Sequence, residues 1–312
     1  MAGSKQIQAK SALLIVNIKK KNAESAAREI REKLEGQGTK VTFFGIDGRP
    51  AFFPQGSHSS QSGWDIAFCL GGDGTVLYAA RMLAASDTPI LHLQLGTLGF
   101  IAGVEKCDWL SLYEQWLSGK VKISSRYMLD FFVERKNKTV YNNTCLNDIV
   151  ISAMGIAKLI SLHAVTEVAS GEYAELGYYR SDGLIISTPT GSTAYSMAAG
   201  GPILAPEMEA KILTPICPFT LSNRPIVLPS KQALLINVEK EQRSGVLLTV
   251  DGQDTFELQP DDRLTIRNSP HYARLISSGS SAYYSALNGK LGWGFPHGGQ
   301  KGGGASIGGD NA

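Results

Sequence analysis

Over the first hundred residues, short apolar runs alternate with stretches of helical periodicity, and few folds accommodate that alternation. Residues 12–18 make a continuous apolar run of strand length. Ala23, Ala26, Ala27, Ile30 and Leu34 then share one face of a helix, which Gly36 and Gly38 end. Residues 41–45, 65–70 and 89–95 read as further strands, and Val76, Leu77, Ala80, Leu83 and Ala84 form the apolar stripe of a helix between the last two. Repeated β-α units predict a parallel sheet flanked by helices. In such sheets ligands collect beyond the carboxyl ends of the strands.

From about Arg126 the pattern changes. Residues 127–134, 139–141, 146–152, 159–168, 184–187, 234–238, 245–250 and 262–266 are strand-like, with turns between them and little helical periodicity. A chain of 312 residues favours two domains at roughly 150 residues each. The expectation is an α/β N-terminal domain over residues 1–125 and a β-rich C-terminal domain from 126. No internal repeat is visible. The Gly- and Ser-rich stretch 297–312 reads as a flexible tail.

Composition narrows the function classes. With 43% hydrophobic residues, 19% charged residues and a formal net charge of +2, the chain is not of disordered or collagenous type. It has no charge excess to drive nucleic-acid or membrane-surface binding. The run 12–18 is too short to span a bilayer. Lys19, Lys20 and Lys21 follow it with no small-residue cleavage pattern, so it reads as a buried strand rather than a signal peptide. Cys69, Cys107, Cys145 and Cys217 are widely spaced with no Cys-x-x-Cys pair, as expected for reduced thiols in a cytoplasmic enzyme.

Three segments carry chemistry. The first is Leu70-Gly71-Gly72-Asp73-Gly74-Thr75, between an apolar strand and an amphipathic helix. Gly71, Gly72 and Gly74 let the backbone turn and approach a ligand, and the N–H groups of such a turn and of the helix behind it form an anion-binding concavity. Asp73 would repel phosphates there unless it holds a divalent metal or accepts a proton from an attacking hydroxyl, and both roles belong to phosphoryl transfer. An ionised aspartate is a weak base, so its main work would be to orient the hydroxyl, with the proton moving late. A glycine turn with an aspartate helix cap is the purely structural reading of the same residues. The second segment runs from Arg180 and Asp182 through a short strand and the turn at Pro189 to Ser196. In it Ser192 or Thr193 can cap a short helix, and hydroxyls, an aromatic ring and free N–H groups gather at one point, suited to a sugar and a base edge. The third is Asn147-Asp148 at the head of an apolar strand. Its amide can bond a base edge, and its carboxylate a pair of ribose hydroxyls. The Walker phosphate loop, the Gly-x-Gly-x-x-Gly dinucleotide fingerprint and the protein-kinase motifs are all missing.

Taken in order, these segments resemble the NAD kinase family from about residue 65 to residue 293. The resemblance rests on Gly71-Gly72-Asp73-Gly74, Leu95-Gly96-Thr97-Leu98-Gly99-Phe100, Asn147-Asp148, the stretch from Asp182 to Ser196, Gly200-Gly201-Pro202-Ile203-Leu204 and Lys290-Leu291-Gly292-Trp293. It implies phosphorylation of the 2′-hydroxyl of the adenosine ribose of NAD, with ATP or polyphosphate as donor and a divalent metal, Mg2+ being the expected one. It implies NAD bound between the domains by the β-rich one (126–270), and a segment 271–296 that returns to the first domain. Asp73 matches the family's catalytic aspartate. Asn147 and Asp148 match a pair that binds the adenosine end of NAD. Thr193, Ala194, Tyr195, Ser196, Met197 and Ala198 match a NAD-contacting helix start. Lys158, Arg180, Asp182 and Gln253 match further contacts, with Asp182 often reached across a subunit interface, because dimers or tetramers are typical. Two positions depart from the family's pattern: Asp148 stands where glutamate is usual, and Gln94 where asparagine is common.

Three other functions fit parts of the sequence. A diacylglycerol-type lipid kinase shares the glycine turn but needs membrane contact, and no basic amphipathic helix is visible. A non-catalytic NAD or NADP sensor on the same fold would not need Asp73. An NAD-dependent oxidoreductase would carry the missing fingerprint.

Overall fold

The computed structural model describes residues 9–47, 63–96, 99–101, 103–156, 158–277 and 280–292. Thr97, Leu98, Trp293 and the tail 297–312 lie outside the described residues. The chain opens with β1 (Ser11–Asn17), α1 (Ala23–Gly36), β2 (Lys40–Ile46), β3 (Ile66–Gly71), α2 (Asp73–Leu83) and β4 (Ile90–Gln94). These strands pair in parallel in the order β2-β1-β3-β4. The apolar runs of β1 and β3 are buried on both faces, as the central strands of a helix-covered parallel sheet must be. The stripe of α1 is buried as its spacing predicts.

Next comes α3 (Trp109–Leu117), which the sequence reading left unassigned. Trp109, Leu112, Tyr113 and Trp116 are buried at helical spacing, and Phe68 of β3 meets Trp109 edge-on at 5.8 Å between ring centroids.

The remainder of the chain is mainly strand: β5 (Ile123–Arg135), β6 (Lys138–Cys145), β7 (Asp148–Ala153), β8 (Ile160–Ala169), β9 (Glu172–Ser181) and β10 (Gly183–Ser187), then the one-turn α4 (Tyr195–Ala198). After it come β11 (Ala210–Ile216), β12 (Ile226–Pro229), β13 (Leu234–Val238), β14 (Val246–Val250), β15 (Asp254–Leu258), β16 (Arg263–Ile276) and α5 (Ser280–Leu291). Six of these strands form an antiparallel sheet in the order β12-β11-β10-β7-β14-β15. The others extend the first sheet. β16 pairs antiparallel with β13 through residues 263–266 and parallel with β4 through Leu275 and Ile276, so one sheet of ten strands runs β2-β1-β3-β4-β16-β13-β8-β9, with β5 on β16 and β6 on β5. Between this sheet and the antiparallel one lies an apolar core that includes Phe131, Ile149, Ile151, Leu162, Ile186, Ile236, Leu248 and Ile266. Strict alternation of buried and half-buried residues over most of β8 shows which of its faces looks into that core.

The sequence reading also leaves β9, β11, β12, β15 and α5 unassigned. β9, β12 and β15 are sheet edges; burial is uneven along β9 and β12, and β15 alternates but over only five residues with polar Asp254, Thr255 and Glu257 among them. β11 carries Lys211 and Pro215 inside a fully buried strand, and both residues mask its period. Among the described residues no helix is long and apolar enough to cross a membrane.

Candidate active site

The carboxyl end of β3 delivers the glycine turn. Gly72 is the N-cap of α2 and Asp73 its first residue, so the carboxylate stands at the helix N-terminus among free N–H groups. Asp73 Oδ2 accepts the backbone N–H of Phe100 at 2.9 Å. Its Oδ1 is buried and has no hydrogen-bond partner among the described residues. A buried carboxylate oxygen without a partner is costly, and a ligand hydroxyl or metal reaching it would supply the missing partner. The close approach of the 99–100 backbone to Asp73 requires glycine at 99, because a Cβ there would overlap the carboxylate. Lys290 of α5 lies over the Phe100 ring at 4.1 Å, so the last helix backs the segment that holds Asp73. Beneath the turn, His92 of β4 is buried, and burial pushes its imidazole below the ordinary histidine value. The neutral tautomer protonated on Nε2 donates to Gly71 O at 3.3 Å.

A cavity of about 370 Å³ is lined by Asn147, Asp148, Val150, Ser152, Ala194, Tyr195, Thr249, Asp251 and Gly252. The third sequence motif and the helix start of the second therefore share one site. Asn147 Oδ1 is buried without a partner among the described residues. The turn 188–191 is stitched to the Asn147 segment: Thr188 N–H donates to Asn147 O at 2.9 Å, Thr188 Oγ1 donates to Leu146 O at 2.5 Å, and a Cβ on Gly191 would overlap the Asn147 carbonyl.

Asp148 is 5% exposed. Burial, and then the charge of Asp251, push its carboxyl up to about 7 from the usual 3.8. The folded state therefore favours the neutral acid. The stability this group contributes is complete below about pH 4 and is lost as pH rises through about 7, a penalty on the order of 4 kcal/mol above it. Asp148→Asn is expected to raise Tm, by a margin that grows between about pH 4 and pH 7 and then levels. Thermal melts of both proteins across that range check this, and a margin independent of pH would contradict it.

The remaining candidate residues are placed as follows. Ser196 is buried, with its hydroxyl on Thr214 Oγ1 at 3.0 Å; Met197 is half-buried and Ala198 exposed. Ser192 and Thr193 do not cap α4, whose N-cap is Ala194. Their hydroxyls turn back onto the carbonyls of Pro189 and Thr190, at 2.6 and 3.3 Å, because residues 191–193 form a 3₁₀ turn of their own before the helix begins. Lys158 is exposed on the β7–β8 connection. Arg180 lies over the ring of Phe219 at 5.2 Å and lines a different, larger groove, and Asp182 is half-buried at the start of β10; neither lines the cavity. Gln253 Nε2 donates to Gly74 O at 2.6 Å, which sets the cavity wall at Gly252 directly beside the Asp73 turn.

Three residues in this neighbourhood went unread in the sequence. Arg81 of α2 is completely buried, with its guanidinium on Asp254 (2.6 Å) and Gln253 (2.7 Å) and its Nε 3.6 Å from Asp251. Asp251 accepts the backbone N–H groups of Leu146, Asn147 and Asp148 at 3.0, 2.7 and 3.1 Å. Burial raises its carboxyl, while Arg81 and those three N–H groups oppose the rise. An arginine inside the apolar stripe of α2 was the available signal.

Comparison with known proteins bears on what this arrangement serves. Residues 12–121 match the ATP-NAD kinase N-terminal domain, and residues 146–278 match the ATP-NAD kinase C-terminal domain. The NAD kinase of Treponema denticola is 40% identical over 286 residues, which cover 91% of this chain and 96% of that one. The chain belongs to the NAD kinase family. The NAD kinase of Geobacter sulfurreducens is 42% identical over 230 residues, 74% of this chain and 79% of its own. Among solved structures, yeast NADH kinase complexed with NADH superposes with a TM-score of 0.77 at 25% identity, covering 92% of this chain and 89% of that one. An NAD kinase from Archaeoglobus fulgidus in complex with ATP shares the fold with a TM-score of 0.65 at 23% identity, covering 90% and 98%. The NAD kinase fold thus sets the glycine turn of the parallel sheet against a cavity walled by the antiparallel sheet.

Proposed function

We propose that this NAD kinase moves the γ-phosphoryl group of ATP, or a terminal phosphoryl group of polyphosphate, onto the 2′-hydroxyl of the adenosine ribose of NAD, giving NADP. The observation that carries the proposal is the buried Oδ1 of Asp73, which has no partner among the described residues, near a cavity lined by an amide, carboxyl groups and an aromatic ring. The hydroxyl donates to Asp73 and its oxygen attacks phosphorus. The bond from phosphorus to the bridging oxygen breaks, ADP or the shortened polyphosphate leaves with that electron pair, and the hydroxyl proton passes to Asp73 late in a loose transition state. Gly71, Gly72 and Gly74 present N–H groups and bare backbone to the donor phosphates, and no atom stands within 4 Å of where a Gly72 side chain would begin. Asn147, Asp148 and the 193–198 helix start hold the adenosine end. Most of the acceleration then comes from positioning and fixed electrostatics.

The described residues hold no group of three acidic, His or Cys side chains able to build a metal cage. Mg2+ is commonly held by substrate phosphates, waters and one or two carboxylates. Asp73 is the carboxylate placed to share it, and the metal would neutralise charge on the phosphates. The division of labour puts the donor on residues 1–125 and NAD on 126–270. We place the enzyme in a reducing, cytoplasmic compartment, in keeping with four free cysteines.

Asp182 contributes to a second copy's site, in keeping with its position away from the cavity of its own chain, and Arg180 is a further NAD contact. The expected state is therefore a dimer or tetramer by light scattering, and a monomer that turns over at full rate would exclude this role. The activity itself is tested by incubating protein, NAD, ATP and magnesium and reading NADP with an NADP-specific dehydrogenase. NADP should accumulate. Binding of NAD with no NADP formed from ATP or polyphosphate would overturn the kinase reading.

A further inference from the structure

The acceptor turn 146–148 and the helix that starts at Asp73 belong to opposite halves of the chain, yet the reaction needs them in fixed relation. We propose that Arg81 is a positioning residue that sets this relation and so holds the ribose hydroxyl against Asp73. The inference rests on the kinase reading above.

A fully buried guanidinium carries a large desolvation cost that only complete pairing offsets, and an apolar side chain in its place is often at least as stable. Val76, Ala80 and Leu83 show that α2 otherwise presents apolar groups here. What the arginine supplies is geometry, since its planar fork can hold several acceptors in fixed directions. It grips one hairpin turn, between β14 and β15. NH1 donates to Asp254 Oδ2 at 2.6 Å and NH2 to Gln253 Oε1 at 2.7 Å, and Nε stands 3.6 Å from Asp251 Oδ2. Asp251 and Gly252 both take left-handed backbone angles, φ 50° and 65°, which gives the turn one well-defined shape.

Two arms leave that turn. The Asp251 carboxylate takes the N–H groups of Leu146, Asn147 and Asp148. The Gln253 amide donates to the carbonyl of Gly74, the residue after Asp73. One arm therefore ends on the backbone that carries the acceptor-binding pair, the other on the backbone that carries the catalytic carboxylate, and Arg81 is their common anchor. Arg81 does not line the cavity, so its effect on rate must pass through these arms. Misplacing a reacting group by about 1 Å can cost on the order of 10²-fold in rate.

Arg81→Lys keeps the charge but replaces the fork with a single ammonium. Asp254→Asn weakens the shortest bond from outside, at a carboxylate with 12% side-chain exposure, and serves as the second variant should Arg81→Lys not fold. Each is compared with the wild type for kcat at saturating NAD and ATP, for NAD affinity by calorimetry and for Tm. In Arg81→Lys, kcat per folded molecule should fall about 30-fold, within the range expected from misplacement, with NAD affinity within about threefold of wild type. Asp254→Asn should show a smaller loss of the same kind. A merely structural arginine would lower Tm and leave kcat per folded molecule unchanged. Folded variants with kcat within threefold of wild type, or a loss confined to NAD affinity, would overturn the positioning role and leave the kinase reading intact. A wild type that makes no NADP overturns both.

Discussion

Asp73→Asn should reduce kcat on the order of 10³-fold, within the 10²–10⁴-fold range typical of a positioned acid-base group, while NAD affinity stays within a few-fold of wild type. The substitution is nearly isosteric and retains an oxygen for the Phe100 N–H bond now made by Oδ2, so the fold has little reason to change. What is lost is the second carboxylate oxygen, Oδ1, which has no partner among the described residues and which the proposed mechanism gives to the acceptor hydroxyl. An amide neither takes the proton nor orients the hydroxyl as strongly. The loss therefore belongs to the transition state and shows in kcat rather than in binding. The NADP endpoint assay with calorimetric NAD affinity decides it, and a variant as active as wild type would remove Asp73 from the mechanism.

Gly99→Ala should reduce kcat by about 10²-fold, the scale expected when a catalytic group is displaced by about 1 Å. An alanine methyl at 99 would occupy the space of the Asp73 carboxylate. Either the 99–100 backbone retreats, and the Phe100 N–H bond is lost, or the carboxylate swings from its place. A double variant, Gly99→Ala with Asp73→Asn, should be no slower than Asp73→Asn alone, because both changes act on the same atoms. Additive losses would show that Gly99 matters for some other reason, and full activity of Gly99→Ala would show that the loop does not hold Asp73.

Much of the outline could be read before any coordinates. The four parallel strands and the two long helices of the first half follow from period and run length, which are properties of neighbouring residues. The glycine turn between β3 and α2 and the Asn147-Asp148 pair at the start of β7 could likewise be placed on their elements, because backbone chemistry at a strand end is local. The reading failed where the local pattern was ambiguous. α3 is only nine residues long, too short for its aromatic spacing to stand out, and Lys211 and Pro215 obscure the buried strand β11. Ser192 and Thr193 looked like helix caps, yet the chain spends them on a preceding 3₁₀ turn.

The amino-acid order alone settles β1 to β4, α1, α2 and about half of the later strands, the order of the motifs and the chemistry each could perform, since all of these depend on residues close together in the chain. Long-range packing lets β16 join β4 to β13 and fuse the strands of both halves into one sheet. It also decided that Gly99 would press on Asp73, that Arg81 would bind the turn holding Asn147 and Asp148, and that Asp148 would sit beside Asp251 with a carboxyl near neutral pH. Each of these depends on what burial brings together from distant parts of the chain. The energy of a buried charge or a missing Cβ is set by those neighbours and not by the residue itself.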